Sequence, residues 1–181
     1  MADEDGTPRG LRPLSALVNT AVLSGADDLT DPEALAAWAR EHALAPPEQV
    51  FTEADLERVR DFREGVRRLL LAHNGQDLDP GAIAALQAAR RDVELAVTFA
   101  ADGSAQLQPA GSGVDGLLGR LLGSIVEAQA NGTWSRLKAC RSETCGWAFY
   151  DRSRNHSRTW CDMSDCGNRA KARRYRARHA H

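Results

Sequence analysis

Apolar residues recur at helical spacing through most of the chain. Leu14, Leu17, Val18 and Val22 predict a first helix, ended at Gly25. Thr30 opens a capping box, with Pro32 in the first turn and Glu33 three residues after the cap. The helix that follows places Leu35, Trp38 and His42 on one side, and Pro46-Pro47 breaks the pattern. Thr52 opens a longer helix whose buried stripe is Leu56, Val59, Phe62, Val66, Leu69 and Leu70; Asn74-Gly75 closes it. Asp79-Pro80 caps a short helix carrying Ile83 and Leu86.

The period then changes. Val93, Leu95, Val97 and Phe99 alternate, Ala101-Asp102-Gly103 makes a turn, and Leu107 lies on a second short run, which predicts a β-hairpin. From Val114 to Ala130 the spacing is helical again, with Leu117, Leu118, Leu121, Leu122, Ile125 and Val126 on a broad apolar face. Gly116, Gly119 and Gly123 weaken this helix by about 1 kcal/mol each relative to Ala and suit a close helix approach. Asn131-Gly132 ends it. The predicted fold class is mainly α with a small β-hairpin (α+β). A disordered tail (1–10) precedes a helical N-terminal domain (11–132), and a smaller C-terminal unit (133–181) follows.

Composition adds little until charge is placed along the chain. The 181 residues are 43% hydrophobic and 27% charged, an ordinary soluble balance. No apolar run is long enough to span a bilayer. The acidic start MADEDGTPRG is unlike a secretory signal. Together these predict a cytoplasmic protein without a membrane partner. Lys138 and Lys171 are the only lysines among 23 basic residues. The net charge of −2 divides into +8 for residues 136–181 and −10 for the rest. An acidic body with a basic end predicts a polyanionic partner for that end.

All four cysteines, Cys140, Cys145, Cys161 and Cys166, lie in the last 42 residues, as C-x4-C, fifteen residues, C-x4-C. Two short chelating loops joined by a longer connection are what a tetrahedral metal site needs. WAFYDRS and SRTWC are β-prone, with a polar turn at Arg152 to His156 between them, which predicts knuckle, hairpin, knuckle, helix, a treble-clef-like zinc finger layout for 133–181. One structural Zn2+ would largely fold such a segment, through a binding free energy of about 10–16 kcal/mol. Two disulfides or an iron–sulfur cluster also use four cysteines, and His156 lies close enough in sequence to replace one ligand.

Gly167 to Arg178 follows the second pair as a basic helix. Arg169, Arg173 and Arg176 share one face; Lys171, Arg174 and Arg178 share the next. Ala172 and Tyr175 form a narrow apolar strip expected to pack on Trp147, Phe149 or Trp160. The charge suits phosphate contacts to double-stranded DNA, with Asn168 or Arg169 in the first turn placed to reach base edges. Arg152, Arg154 and Arg158 on the hairpin turn would add backbone contacts. The alternatives are a solvated basic face that docks on the acidic body, or a protein-interaction adaptor whose helix docks on an acidic partner.

The segment C-x4-C-WAFYDRSRN…W-C-x-M-x-x-CGNRAKARR resembles the CGNR zinc finger family, whose signature here is Cys166, Gly167, Asn168 and Arg169. LVNT at 17–20 and DLTDPEALAAWA at 28–39 resemble the ABATE domain found with this finger. The resemblance implies a stress-linked bacterial transcription regulator. It would have a DNA-binding finger, zinc on the four cysteines, and an N-terminal domain that senses or regulates. In that domain Arg12, Asn19 and Thr20, with His42 and His73 at helix ends, are candidates to line a small-molecule effector pocket, against the simpler reading of capping and surface polarity. No nucleotide loop, nucleophile elbow or catalytic metal triad occurs, so no enzyme is expected. A homodimer is allowed by the habits of DNA regulators, though no heptad marks an interface.

Overall fold

Caps and turns, more than apolar spacing, decide where each element begins and ends. A computed structural model of the protein describes residues 6–179, which hold six α-helices and two two-stranded antiparallel sheets. Part of the expected tail lies outside the described residues. From Gly6 onward the chain is docked: Thr7 is buried and Arg9–Leu11 form a 3-10 turn that buries Leu11.

Helix α1 (Arg12–Asn19) stops well before Gly25. Thr20 Oγ1 donates to Leu17 O (2.7 Å), and the chain doubles back so that Ala21 bridges Asp27, leaving Val22 outside the helix. Helix α2 (Pro32–Glu41) is capped by Asp31, not Thr30. Pro32 supplies the first helical residue, so the residue before it is the cap. Asp31 Oδ1 accepts from Ala34 N (2.9 Å), while Thr30 Oγ1 donates to Asp31 Oδ2. Helix α3 (Glu53–His73) has the expected capping box, between Thr52 and Asp55. Its Leu56, Val59, Phe62, Val66 and Leu70 are wholly buried. Helix α4 (Pro80–Ala89) lies along α3 with Ala82 and Ala89 buried and Leu86 packed against the core as expected, while Ile83 is exposed. It comes close because α3 has no side chain at Gly65; a Cβ there would lie 2.8 Å from Leu86 Cγ.

Strands β1 (Leu95–Phe99) and β2 (Ala105–Pro109) form the expected hairpin, with Val97 opposite Leu107 and Phe99 opposite Ala105. Its far end overhangs the body, leaving Val97 62% and Phe99 75% exposed. Helix α5 (Gly113–Ala130) meets this hairpin through its glycines. The close approach predicted for them is to a strand, not a helix: a Cβ at Gly119 would lie 2.7 Å from Pro109 Cβ.

Strands β3 (Leu137–Ala139) and β4 (Ala148–Tyr150) pair antiparallel, Leu137 opposite Tyr150 and Ala139 opposite Ala148. They lie against α3 and α1. Trp134, Leu137, Ala139, Ala148 and Tyr150 belong to the same apolar core as Leu14, Phe62 and Leu118. The turn at Asn131-Gly132 ends α5 as expected, but the core runs on through it.

Candidate metal centre

The first cysteine pair lies in the loop of the β3–β4 hairpin: Cys140 directly follows β3, and Cys145 comes three residues before β4. This differs from the expected order, in which a hairpin joined the two pairs. WAFYDRS supplies only β4, and SRTWC forms no strand. A buried ion pair is the reason. Lys138 Nζ donates to Asp151 Oδ2 (2.7 Å), His156 O (2.6 Å) and Arg158 O (3.3 Å). Asp151 also accepts from Ser153 N and Oγ and from Arg158 N. Residues 151–158 therefore curl around this pair instead of extending along β4. Burial acts to raise the Asp151 carboxyl, but hydrogen bonds from Lys138 and Ser153 outweigh it and bring it down to about 2. His156 lies exposed on this curl and outside the cysteine cluster.

The second pair spans a π turn, Met163–Gly167, whose start is capped by Asp162 accepting from Ser164 N (2.7 Å). Cys161 precedes the turn and Cys166 lies within it. Helix α6 (Asn168–His179) leaves directly from its end.

The four Sγ atoms all lie within 4.8 Å of one another, with Cys145–Cys161 at 3.5 Å and Cys161–Cys166 at 3.8 Å. Four thiolates at about 2.3 Å from a tetrahedral zinc stand about 3.8 Å apart. A disulfide requires about 2.05 Å, and all four cysteines are free. The donor set is soft, complete and without an open position, which fits one structural Zn2+. Without the dication the quartet cannot ionise together. A hydrogen bond from the Cys161 thiol draws Cys140 down to about 5, against its burial, with the backbone of Cys161 and Ser142 also donating. Burial pushes Cys145 up to about 11. Cys161, by donating to Cys140, is raised further.

The helical body holds this centre through its backbone. Leu23 N donates to Cys145 O and Ser24 N to Thr144 O, both at 3.2 Å. Arg67 is almost wholly buried; its Nη1 donates to Gly146 O (2.6 Å) and its Nη2 to Val18 O and Ala21 O (2.9 Å each). Asn74 Nδ2 donates to Ala139 O (2.7 Å) and Thr159 O (2.8 Å). His73 Nδ1 donates to Leu137 O (2.8 Å) and packs edge-on to Trp134. Burial, aided by Lys138, lowers the His73 pKa. None of these contacts follows from spacing alone. The available signal was a charged residue beside the apolar stripe of α3, Arg63 and Arg67 each following a buried residue, Phe62 and Val66.

The residues expected to line an effector pocket each make contacts within the fold. Asn19 pairs with the backbone of Ala148 in both directions, accepting from its N (2.7 Å) and donating to its O (3.1 Å). Thr20 Oγ1 accepts from Arg63 Nη1 (3.0 Å) while donating to Leu17 O. Arg12 Nε donates to Thr7 O (3.3 Å). His42 stacks on Trp38.

Helix α6 projects from the centre with Ala170 as its only buried residue among those described. The expected strip of Ala172 and Tyr175 does not pack on the hairpin; Tyr175 is 64% exposed and stacks on His179. Arg173 pairs with Glu143 (3.5 Å) and Arg169 with Asp165 (3.0 Å), both acids of the cysteine loops. Among the described residues, no ion pair joins α6 to the helical body, and none is made by Lys171, Arg174, Arg176 or Arg178. Arg154 is exposed on the 151–158 curl. Arg152 lies there too, its side chain against Gly6. Arg158 folds back over the Phe149 ring and donates to Trp160 O and Cys161 O.

The chain belongs to the ABATE family, described as "Putative stress-induced transcription regulator", whose model matches residues 11–131. Residues 136–179 match the CGNR zinc finger. A search of curated proteins returned no match. No helix among the described residues is long and apolar enough to cross a membrane.

Proposed function

We propose that the protein is a cytoplasmic regulator that binds double-stranded DNA through α6, with zinc holding that helix at a set angle to the body. The observation that carries the reading is the helix itself. From Lys171 to His179 every residue is exposed, and four of its cations have no acidic partner among the described residues. A helix so poor in apolar surface gains nothing from packing, whereas a row of guanidinium groups releases counterions on meeting phosphates. Lys171, Arg173, Arg174, Arg176 and Arg178 are the phosphate contacts, and Arg154 extends the basic surface from the neighbouring curl. The ABATE domain carries the regulatory role; no catalytic role is assigned to it.

Fluorescence anisotropy with a random duplex tests this on the zinc-loaded full chain. Affinity should fall steeply between about 50 and 200 mM salt. Arg174→Ala with Arg178→Ala should flatten the log–log slope by about 1.8, or 0.9 for each phosphate no longer neutralised. A wild-type protein that ignores duplex DNA at low salt, or a double variant with an unchanged slope, refutes the reading.

A further inference from the structure

Cys166, Gly167, Asn168 and Arg169 lead from the π turn into α6 at the end nearest the metal centre, where a DNA-reading helix would be expected to place its base contacts. Their geometry points the other way. A Cβ at Gly167 would lie 2.4 Å from Met163 Sδ and 3.2 Å from Trp160 Cδ1, so a side chain there would have to move the Met163 thioether aside and crowd the Trp160 ring. Asn168 Nδ2 donates to Ser164 O (2.9 Å), tying the first residue of α6 to the start of the π turn. Arg169 Nη2 donates to Cys166 Sγ (3.2 Å) and to Asp165 Oδ2 (3.0 Å). All three positions close the loop that carries the fourth ligand.

The chemistry of the donor set gives Arg169 a task. Four thiolates around one dication carry a net negative charge, and a cationic donor on one sulfur offsets part of it. Cys140 and Cys145 receive backbone N–H donors from Ser142 and Trp147; Cys166 receives a guanidinium. One nitrogen, Nη2, makes both bonds, so a single charged amino group reaches a sulfur and a carboxylate together.

The geometry assigns Arg169 to the metal centre as a positioning residue. It compensates charge on the Cys166 thiolate and locks the π turn, and it does not read DNA; Gly167 and Asn168 shape the same turn. The assignment rests on the metal centre and not on the DNA reading, so either can fail without the other.

Arg169→Gln in the zinc-saturated full chain separates the possibilities. Competition with a chromogenic chelator should show zinc affinity reduced about tenfold, the low end of the range for a ligand's hydrogen-bond partner, because the Arg169 side chain is 54% exposed. Zinc release driven by N-ethylmaleimide should quicken several-fold, since a less compensated thiolate is the better nucleophile. Arg169→Lys should fall between Gln and wild type in both measurements. The salt slope of DNA binding by the zinc-saturated Gln variant should equal that of wild type, while Arg174→Ala should give the opposite pattern, an altered slope with unchanged zinc affinity. Wild-type zinc affinity and release in Arg169→Gln overturn the assignment, as does a salt slope shallower by about 0.9 in that variant. If no DNA binds to any variant, the zinc measurements decide alone.

Discussion

Lys138 shows how one residue can set the course of a loop. It is one of two lysines among 23 basic residues and is 4% exposed. A compact ammonium aims three donors in different directions, to Asp151 Oδ2, His156 O and Arg158 O, whereas a guanidinium holds its donors in one plane. Lys138→Met should therefore cost about 3–5 kcal/mol in urea unfolding, because it strands the wholly buried Asp151 carboxylate. Adding Asp151→Leu should recover much of that loss. Asp151 also sets an acid limit. Its folded pKa of about 2 lies below its unfolded value of about 3.9, so the folded state binds fewer protons. The stabilisation is complete above about pH 4 and is lost as pH falls through 2, a change of about 2–3 kcal/mol. Urea midpoints across that window check it, and Asp151→Asn should flatten the curve. At this scale the cysteines were legible because ligand spacing is written in the chain. The inward turn of Asn168 and Arg169 was not, because it depends on a π turn that spacing does not announce.

The elements of the finger are held by different forces. Strands β3 and β4 sit in the core with α1 and α3, and His73, Asn74, Asn19 and Arg67 bond their backbone or the loop between them. Helix α6 is attached mainly through the π turn and the second cysteine pair, with one exposed ion pair, Arg173–Glu143, to the first cysteine loop. The expectation that zinc would largely fold the segment treated it as a small module that needs a metal staple. The packing divides it instead. Hydrogen exchange after chelation should show residues 157–179 losing protection while the amides of Leu137–Ala139 and Ala148–Tyr150 keep it. Exchange that rises together across 136–179 would mean the metal holds the strands as well.

At the level of the whole molecule, the helical body and the β3–β4 hairpin meet inside one core and should unfold as one unit. The turn at Asn131-Gly132 was legible because Asn and Gly end helices. The continuity across it was not, since it is made by residues far apart in sequence: Arg67 with Gly146, Asn19 with Ala148, and Phe62 in the same core as Leu137. Burial without a seam, and hydrogen bonds whose loss would leave carbonyls unpaired on both sides, make partial unfolding costly. Zinc stabilises whatever unfolds together with its site, by mass action. Calorimetry of the full chain should give one endotherm that shifts upward as a whole when zinc is added. Two endotherms, with only one responding to the metal, would show that the body and finger are separable. In that case a signal received by the ABATE domain could not reach α6 through the packing described, because the bonds from Leu23, Ser24 and Arg67 to the first cysteine loop would not be linked to the stability of the site they hold.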